Sequence, residues 1–80
     1  MTDAPAGHLM RLTELAEHCR VSPQTVQYYL LLGLIRETKK STGGHRLFDE
    51  NVAKRVKLIH RINQTGYPLR EIGKVFLKKR

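Results

Sequence analysis

Apolar residues recur at helical spacing in four stretches of the chain, and turn-forming residues fill the intervals between them. Leu12, Leu15, Ala16 and Cys19 form the first stripe. It predicts a helix over roughly 13–19, with Thr13 at its N-cap and Glu14 in the first turn, where the helix dipole favours an acid. Val21-Ser22-Pro23 then breaks and restarts the chain. Ser22 can cap the next helix with its hydroxyl, and Pro23 fits the first helical position, where its missing N–H is not needed. The second helix is expected over about 23–32, with Val26, Tyr29 and Leu30 inward. It ends at Gly33, a residue suited to the left-handed position after a helix. Two short helices joined by three or four residues have the size of a helix-turn-helix.

Leu34 to Thr38 predicts a short strand, Lys39 to Gly44 a turn, and His45 to Phe48 a second strand. Together they read as a β-hairpin with a glycine-rich tip. Asp49 caps a third helix over about 50–64, with Val52, Val56, Ile59 and Ile62 on one stripe, and Gly66 ends it. Pro68 opens a fourth helix to about residue 77 that buries Leu69, Ile72, Val75 and Phe76. The expected fold class is mainly α: a winged helix-turn-helix, in which the helix-turn-helix is followed by a two-stranded β-hairpin wing and two further helices. The first residues show no periodicity, so the expected organisation is a flexible N-terminal arm over 1–10 and one domain over 11–80.

Charge adds a partner to this picture. Among 80 residues there are 15 Lys+Arg and 7 Asp+Glu, a formal charge of +8. Only Arg11 and Arg20 of those bases precede residue 36, so the cations crowd into the wing and the later helices. Such a balance points to an anionic partner. At 40% hydrophobic content the chain can fold, and it is no disordered basic tail. A domain this small buries only about 60% of its unfolded surface, which leaves little room for a deep catalytic pocket. No apolar run reaches the ~20 residues of a membrane span, and Met1 to Gly7 lacks the pattern of a secretory signal. The single cysteine points to a reducing compartment, so the expected location is cytoplasmic.

Three elements carry hydrogen-bonding or basic faces. Gln24, Gln27, Tyr28 and Leu31 lie opposite the inward stripe of the second helix. Glutamine is one of the few side chains able to bridge N6 and N7 of adenine, and a tyrosine hydroxyl or a helix N-terminus can hold a phosphate. Taken alone, these residues read more readily as an ordinary solvated face. The hairpin changes that balance, because Lys39 and Lys40 before the glycines and Arg46 after them put three cations on a slender projection. Neutralising phosphates with such groups releases counterions. The third helix adds Lys54, Arg55, Lys57 and Arg61, the last two sharing a face.

The stretches RLTELAEHCRVSPQTVQYYLLLGLI and GGHRLFDENVAKRVKLIHRINQTGYPLREI together resemble the N-terminal DNA-binding domain of the MerR family of bacterial transcription regulators. The resemblance covers about residues 11–77. It implies that Ser22, Gln24, Thr25, Gln27 and Tyr28 meet the major groove or its phosphates. It implies that Lys39, Lys40, His45 and Arg46 contact flanking backbone, and that Lys57 and Arg61 act as a second wing. The implied partner is double-stranded promoter or operator DNA, with RNA polymerase as a further partner at the promoter. Some positions depart from the family pattern. Gln27-Tyr28-Tyr29-Leu30 stands where Arg-Tyr-Tyr-Glu is common, Arg20 stands where the turn commonly has Gly, and Pro68 replaces a Ser or Thr cap. The family's long pairing helix would begin where this sequence ends, so homodimers are expected only with such a C-terminal dimerisation helix, which is absent from these residues.

Two other readings use the same fold: a small architectural, excisionase-like protein that bends DNA, and a protein-binding adaptor with Leu30-Leu31-Leu32 as its patch. Neither a cofactor nor a metal is expected, because Cys19 has no second cysteine or spaced histidine to complete a zinc pattern. No nucleophile–base–acid set suggests an enzyme.

Overall fold

A computed structural model describes residues 9–78, with side chains as far as Lys74. The elements are α1 (Leu12–Cys19), α2 (Pro23–Leu31), β1 (Lys39–Lys40), β2 (Arg46–Leu47), α3 (Glu50–Gln64) and α4 (Leu69–Lys78). The mainly helical winged architecture is the one the pattern predicts. Details at the element ends differ.

The first helix begins before Thr13. Arg11 takes the N-cap in extended backbone, and the Glu14 carboxylate accepts from its backbone N–H at 2.8 Å. An acid three residues into the helix thus satisfies a terminal donor that a threonine cap would leave open. At the other end, Arg20 carries φ 60° and ψ 42°. Its N–H donates to the Glu17 carbonyl at 3.1 Å, and that of Val21 donates to Ala16 at 3.0 Å. This is the paired closure of a Schellman motif, made here with arginine at the position glycine usually holds.

The second helix is capped as expected, with Ser22 Oγ accepting from the Thr25 N–H at 3.2 Å and Pro23 in the first turn. It closes in the same way as the first. The Gly33 N–H reaches Leu30, and the Leu34 N–H reaches the Tyr29 carbonyl at 2.9 Å. Gly33 has φ 79°, a conformation that L side chains adopt only with strain.

The hairpin begins later than predicted. The first strand is Lys39–Lys40 and not Leu34–Thr38. It pairs antiparallel with Arg46–Leu47, placing Lys39 opposite Leu47 and Lys40 opposite Arg46. Leu34 and Ile35 are consecutive and both buried, at 1% and 5% exposure, so they enter the core together instead of alternating across a sheet. The Leu34 carbonyl accepts from Arg55 Nε at 2.7 Å, and Leu34 Cδ2 lies 3.3 Å from where a Cβ on Gly73 would sit. A residue held from three helices cannot also pair in a strand.

Met10 joins the fold as well. Its N–H and carbonyl both bond to Phe48 at 2.8 Å, forming an antiparallel bridge, and its side chain is buried. The arm expected over residues 1–10 therefore stops short of Met10, and residues 1–8 lie outside the described ones.

The third helix starts at Asp49, whose carboxylate accepts from the Val52 N–H at 3.1 Å, and it ends before Gly66. Its buried stripe is Ala53, Val56 and Ile59, with Val52 and Ile62 partly covered. The fourth helix opens at Pro68, whose carbonyl receives the N–H groups of Glu71 and Ile72. The burial expected of Val75 and Phe76 falls on side chains outside the described residues. Leu15, Val26, Tyr29, Leu34, Phe48, Val56, Ile59 and Ile72 fill the centre, and no charged side chain is buried among the described residues. No described helix is long and apolar enough to cross a membrane.

Arg20→Gly removes the strain of a left-handed non-glycine residue without touching the core. The variant should be more stable by about 1 kcal/mol in urea denaturation. An unchanged or lowered midpoint would show that the Arg20 side chain compensates for its backbone.

Candidate nucleic-acid interface

The α2 stripe is set by what lies beneath it. Val26 and Tyr29 are fully buried, and the Tyr29 hydroxyl is pushed above its ordinary pKa by that burial. Helical spacing then turns Gln24, Gln27, Tyr28 and Leu31 outward, and all four are exposed. Ser22 and Thr25 stand at the head of this helix, joined by a 2.9 Å contact between their hydroxyls as well as by the cap itself. The stripe is thus a rigid, uncharged row of donors and acceptors ending in an apolar tip. Of the three consecutive leucines, Leu31 is the most open at 81% exposure. Tyr28 and Leu32 also line a shallow groove with Pro68, Leu69, Arg70 and Glu71 at the start of α4.

On the wing, Lys39, Lys40, His45 and Arg46 are all exposed. The tip is closed by Ser41, whose backbone N–H donates to the His45 carbonyl at 2.9 Å while its hydroxyl accepts from the His45 N–H at 3.2 Å. Gly44 supplies the positive φ of 84° that the tip needs. The His45 ring folds back over Gly43, where an added Cβ would sit 3.4 Å from Nδ1. Arg46 is engaged as well, with Nε 3.5 Å from Glu37 Oε1. Both line a cleft between the base of the wing and α3, together with Arg36, Asn51 and Arg55.

The cations of α3 divide between two sides. Arg55 turns toward the linker that follows α2 and donates to the Leu34 carbonyl. Lys57, two residues on, lies on the α1 side, close enough for its charge to act on the Cys19 thiol. Arg61 shares the Lys57 face, and both are exposed. The structure therefore groups the wing cations with the α2–β1 linker and sets Lys57 and Arg61 apart along α3. Sequence pattern overlooked Arg36 in the wing cleft and Arg70 beside Tyr28. Their only mark in the sequence is a base next to a strand and a base in the first turn of a helix.

Other reactive groups are committed elsewhere. Cys19 is buried, its Sγ 3.5 Å from the Ala53 carbonyl, and desolvation pushes its thiol pKa up. His18 Nε2 lies 3.2 Å from Glu50 at the junction of α1 and α3, and His60 is half-buried. Glu14 and Asp49 cap helices, Glu37 and Glu71 sit in ion pairs, and Glu50 meets the His18 ring. Among the described residues no three His, Cys, Asp or Glu side chains converge as metal ligands.

Residues 10–79 match the family model described as MerR HTH family regulatory protein. The chain is 37% identical over 65 residues to the mercuric resistance operon regulatory protein of Bacillus cereus, covering 81% of this chain and 49% of that protein. It thus spans about half the length of that relative. Its fold is shared with a MerR-family transcriptional regulator from the same species, at a TM-score of 0.79 and 23% identity, over 91% of this chain and 55% of the other. It is shared also with HiNmlR, a MerR-family regulator lacking the sensor domain and solved bound to promoter DNA, at a TM-score of 0.76 and 22% identity, over 85% and 54% of the two chains.

The two sides of α3 should respond differently to substitution. Arg55→Met keeps the apolar stem but leaves the Leu34 carbonyl without its charged donor, and should destabilise by about 1.5–3 kcal/mol. Lys57→Ala should stay within about 0.5 kcal/mol of the parent. Thermal unfolding of both variants checks this, and equal losses would contradict the division.

Proposed function

The chain belongs to the MerR HTH family of regulatory proteins and is a DNA-binding domain of that family, and from this we propose that it reads duplex sequence through α2 while its wing grips the backbone. The observation that carries the reading is the pairing of two unlike surfaces. One is a capped helix presenting Gln24, Gln27 and Tyr28 without a charge among them. The other is a separate hairpin presenting cations. An uncharged row suits base edges, where hydrogen-bond pattern discriminates, and cations suit phosphates, which carry affinity but no sequence. Ser22 and Thr25 place the helix N-terminus toward a phosphate, and Lys39, Lys40, His45 and Arg46 follow the flanking backbone. Lys57 and Arg61 hold phosphates further out.

In this reading the working regulator is a two-fold dimer, paired through a helix beyond the residues present here. Two recognition helices then enter successive major grooves roughly 34–36 Å apart on a pseudo-palindromic operator. RNA polymerase at the promoter is a further partner, and the setting is the cytoplasm and its nucleoid. The activity is binding, not catalysis, in keeping with acids that serve as caps and ion-pair partners.

Selection of bound fragments from random and genomic DNA tests this directly. An enriched inverted repeat supports the dimeric regulator, whereas direct repeats would favour a DNA-bending architectural role. No enrichment, with loss of function on replacing Leu31, would favour protein docking instead. On a selected site, Gln24→Ala should relax preference at one or two base positions. Arg46→Ala should weaken binding to every duplex and reduce the salt slope by up to about one unit. An unaltered preferred sequence in the Gln24 variant would remove that residue from base reading.

A further inference from the structure

Glu37 is the one acidic residue between Gly33 and Phe48, in a stretch that holds Arg36, Lys39, Lys40 and Arg46. Its carboxylate lies 3.5 Å from Arg46 Nε. Arg46 in turn stands directly across the ladder from Lys40, an arrangement of like charges that is unfavourable unless something offsets it. A backbone hydrogen bond first, and then the charges of Arg46, Lys40 and Arg36, hold the Glu37 carboxyl below the usual carboxylate range. It is therefore ionised throughout neutral pH. Arg46 thus faces the carboxylate directly, and Lys40 and Arg36 are near enough for their charges to act on it.

We propose that Glu37 is an internal stand-in for a DNA phosphate: it occupies Arg46 in the free protein and yields it to the backbone on binding, which lowers the sequence-independent part of duplex affinity. The inference rests on the reading of the wing as a backbone-gripping element. A phosphate arriving at Arg46 and Lys40 meets cations already partly neutralised. Either the carboxylate is displaced into solvent, or it remains within a Debye length of the incoming phosphate and repels it. Fewer counterions are then released than the wing's formal charge implies, because Arg46 already has an anion beside it before DNA arrives. The penalty falls on a backbone contact, so it acts alike on every sequence and leaves the base-reading stripe of α2 untouched.

The test compares Glu37→Gln, Arg46→Gln and the double variant of the 80-residue chain on a short random-sequence duplex, by fluorescence anisotropy across a salt series. Glu17→Gln serves as a control, since it makes the same change in net charge on the exposed face of α1. Glu37→Gln should tighten binding and steepen the salt slope by up to about one unit. The gain should then be about threefold larger at 50 mM than at 200 mM salt. It should shrink or vanish when Arg46 is already Gln, and Glu17→Gln should not reproduce it. Weaker or unchanged binding by Glu37→Gln, an equal gain in the Arg46→Gln background, or an equal gain from Glu17→Gln would each overturn the proposal. If Arg46→Gln itself has no effect, the wing reading fails with it. If Arg46→Gln weakens binding while Glu37→Gln does not tighten it, the proposal alone fails.

Discussion

The fold turns on how one residue, Leu34, is held. Its N–H closes α2 on the Tyr29 carbonyl, its own carbonyl receives Arg55 from α3, and its side chain rests against Gly73 of α4. Three helices thus meet at the first core residue after α2. The direction in which the chain leaves α2 is thereby set, and with it the place from which the wing projects. A Cβ at Gly73 would press on Leu34 Cδ2 at 3.3 Å, and the positive φ of Gly33 turns the chain into that seat. The wing, with its two-residue strands and exposed faces, has little packing of its own to orient it.

Much of this was legible in the sequence where a single local interaction decides. Ser22 and Asp49 cap where their position before a helical stripe says they should, because a side-chain oxygen needs only a backbone N–H three residues on. The outward row of α2 was legible for the same reason, since the period of 3.6 leaves Gln24, Gln27, Tyr28 and Leu31 opposite Val26 and Tyr29. The first strand was not. Leu34-Ile35 looks like the start of a strand by apolar content, but long-range contacts from α3 and α4 take both residues into the core. The true strand, Lys39–Lys40, is solvated on both sides and has no hydrophobic alternation to announce it. Met10 was missed because its partner, Phe48, lies far along the chain. The Thr13 cap failed because the Leu15 N–H it could have received is already given to the Arg11 carbonyl, so the helix is under way before Thr13.

The candidate interface shows a similar limit. Composition counts cations without saying which are already engaged. Arg55 and Arg46 contribute the same formal charge as Lys57 and Arg61, yet one supports a core carbonyl and another faces a carboxylate. Net charge is therefore a poor measure of how strongly such a surface grips a polyanion. The arrangement of acids within it matters as much as the number of bases. The second helix carries no charge at all, so in the proposed reading its contribution to affinity is short-ranged and depends on shape and hydrogen-bond pattern rather than on the field of the whole domain.

The bridge between Met10 and Phe48 also has a kinetic meaning. It clasps together the two ends of a segment that contains α1, α2 and both strands of the hairpin. The helices inside that segment form from near-neighbour contacts, whereas the clasp demands closure of a long loop. A helix-turn-helix already condensed shortens the span that must be closed, because compact helices replace flexible chain. Folding in that order assembles α2 first and fastens the hairpin to it last.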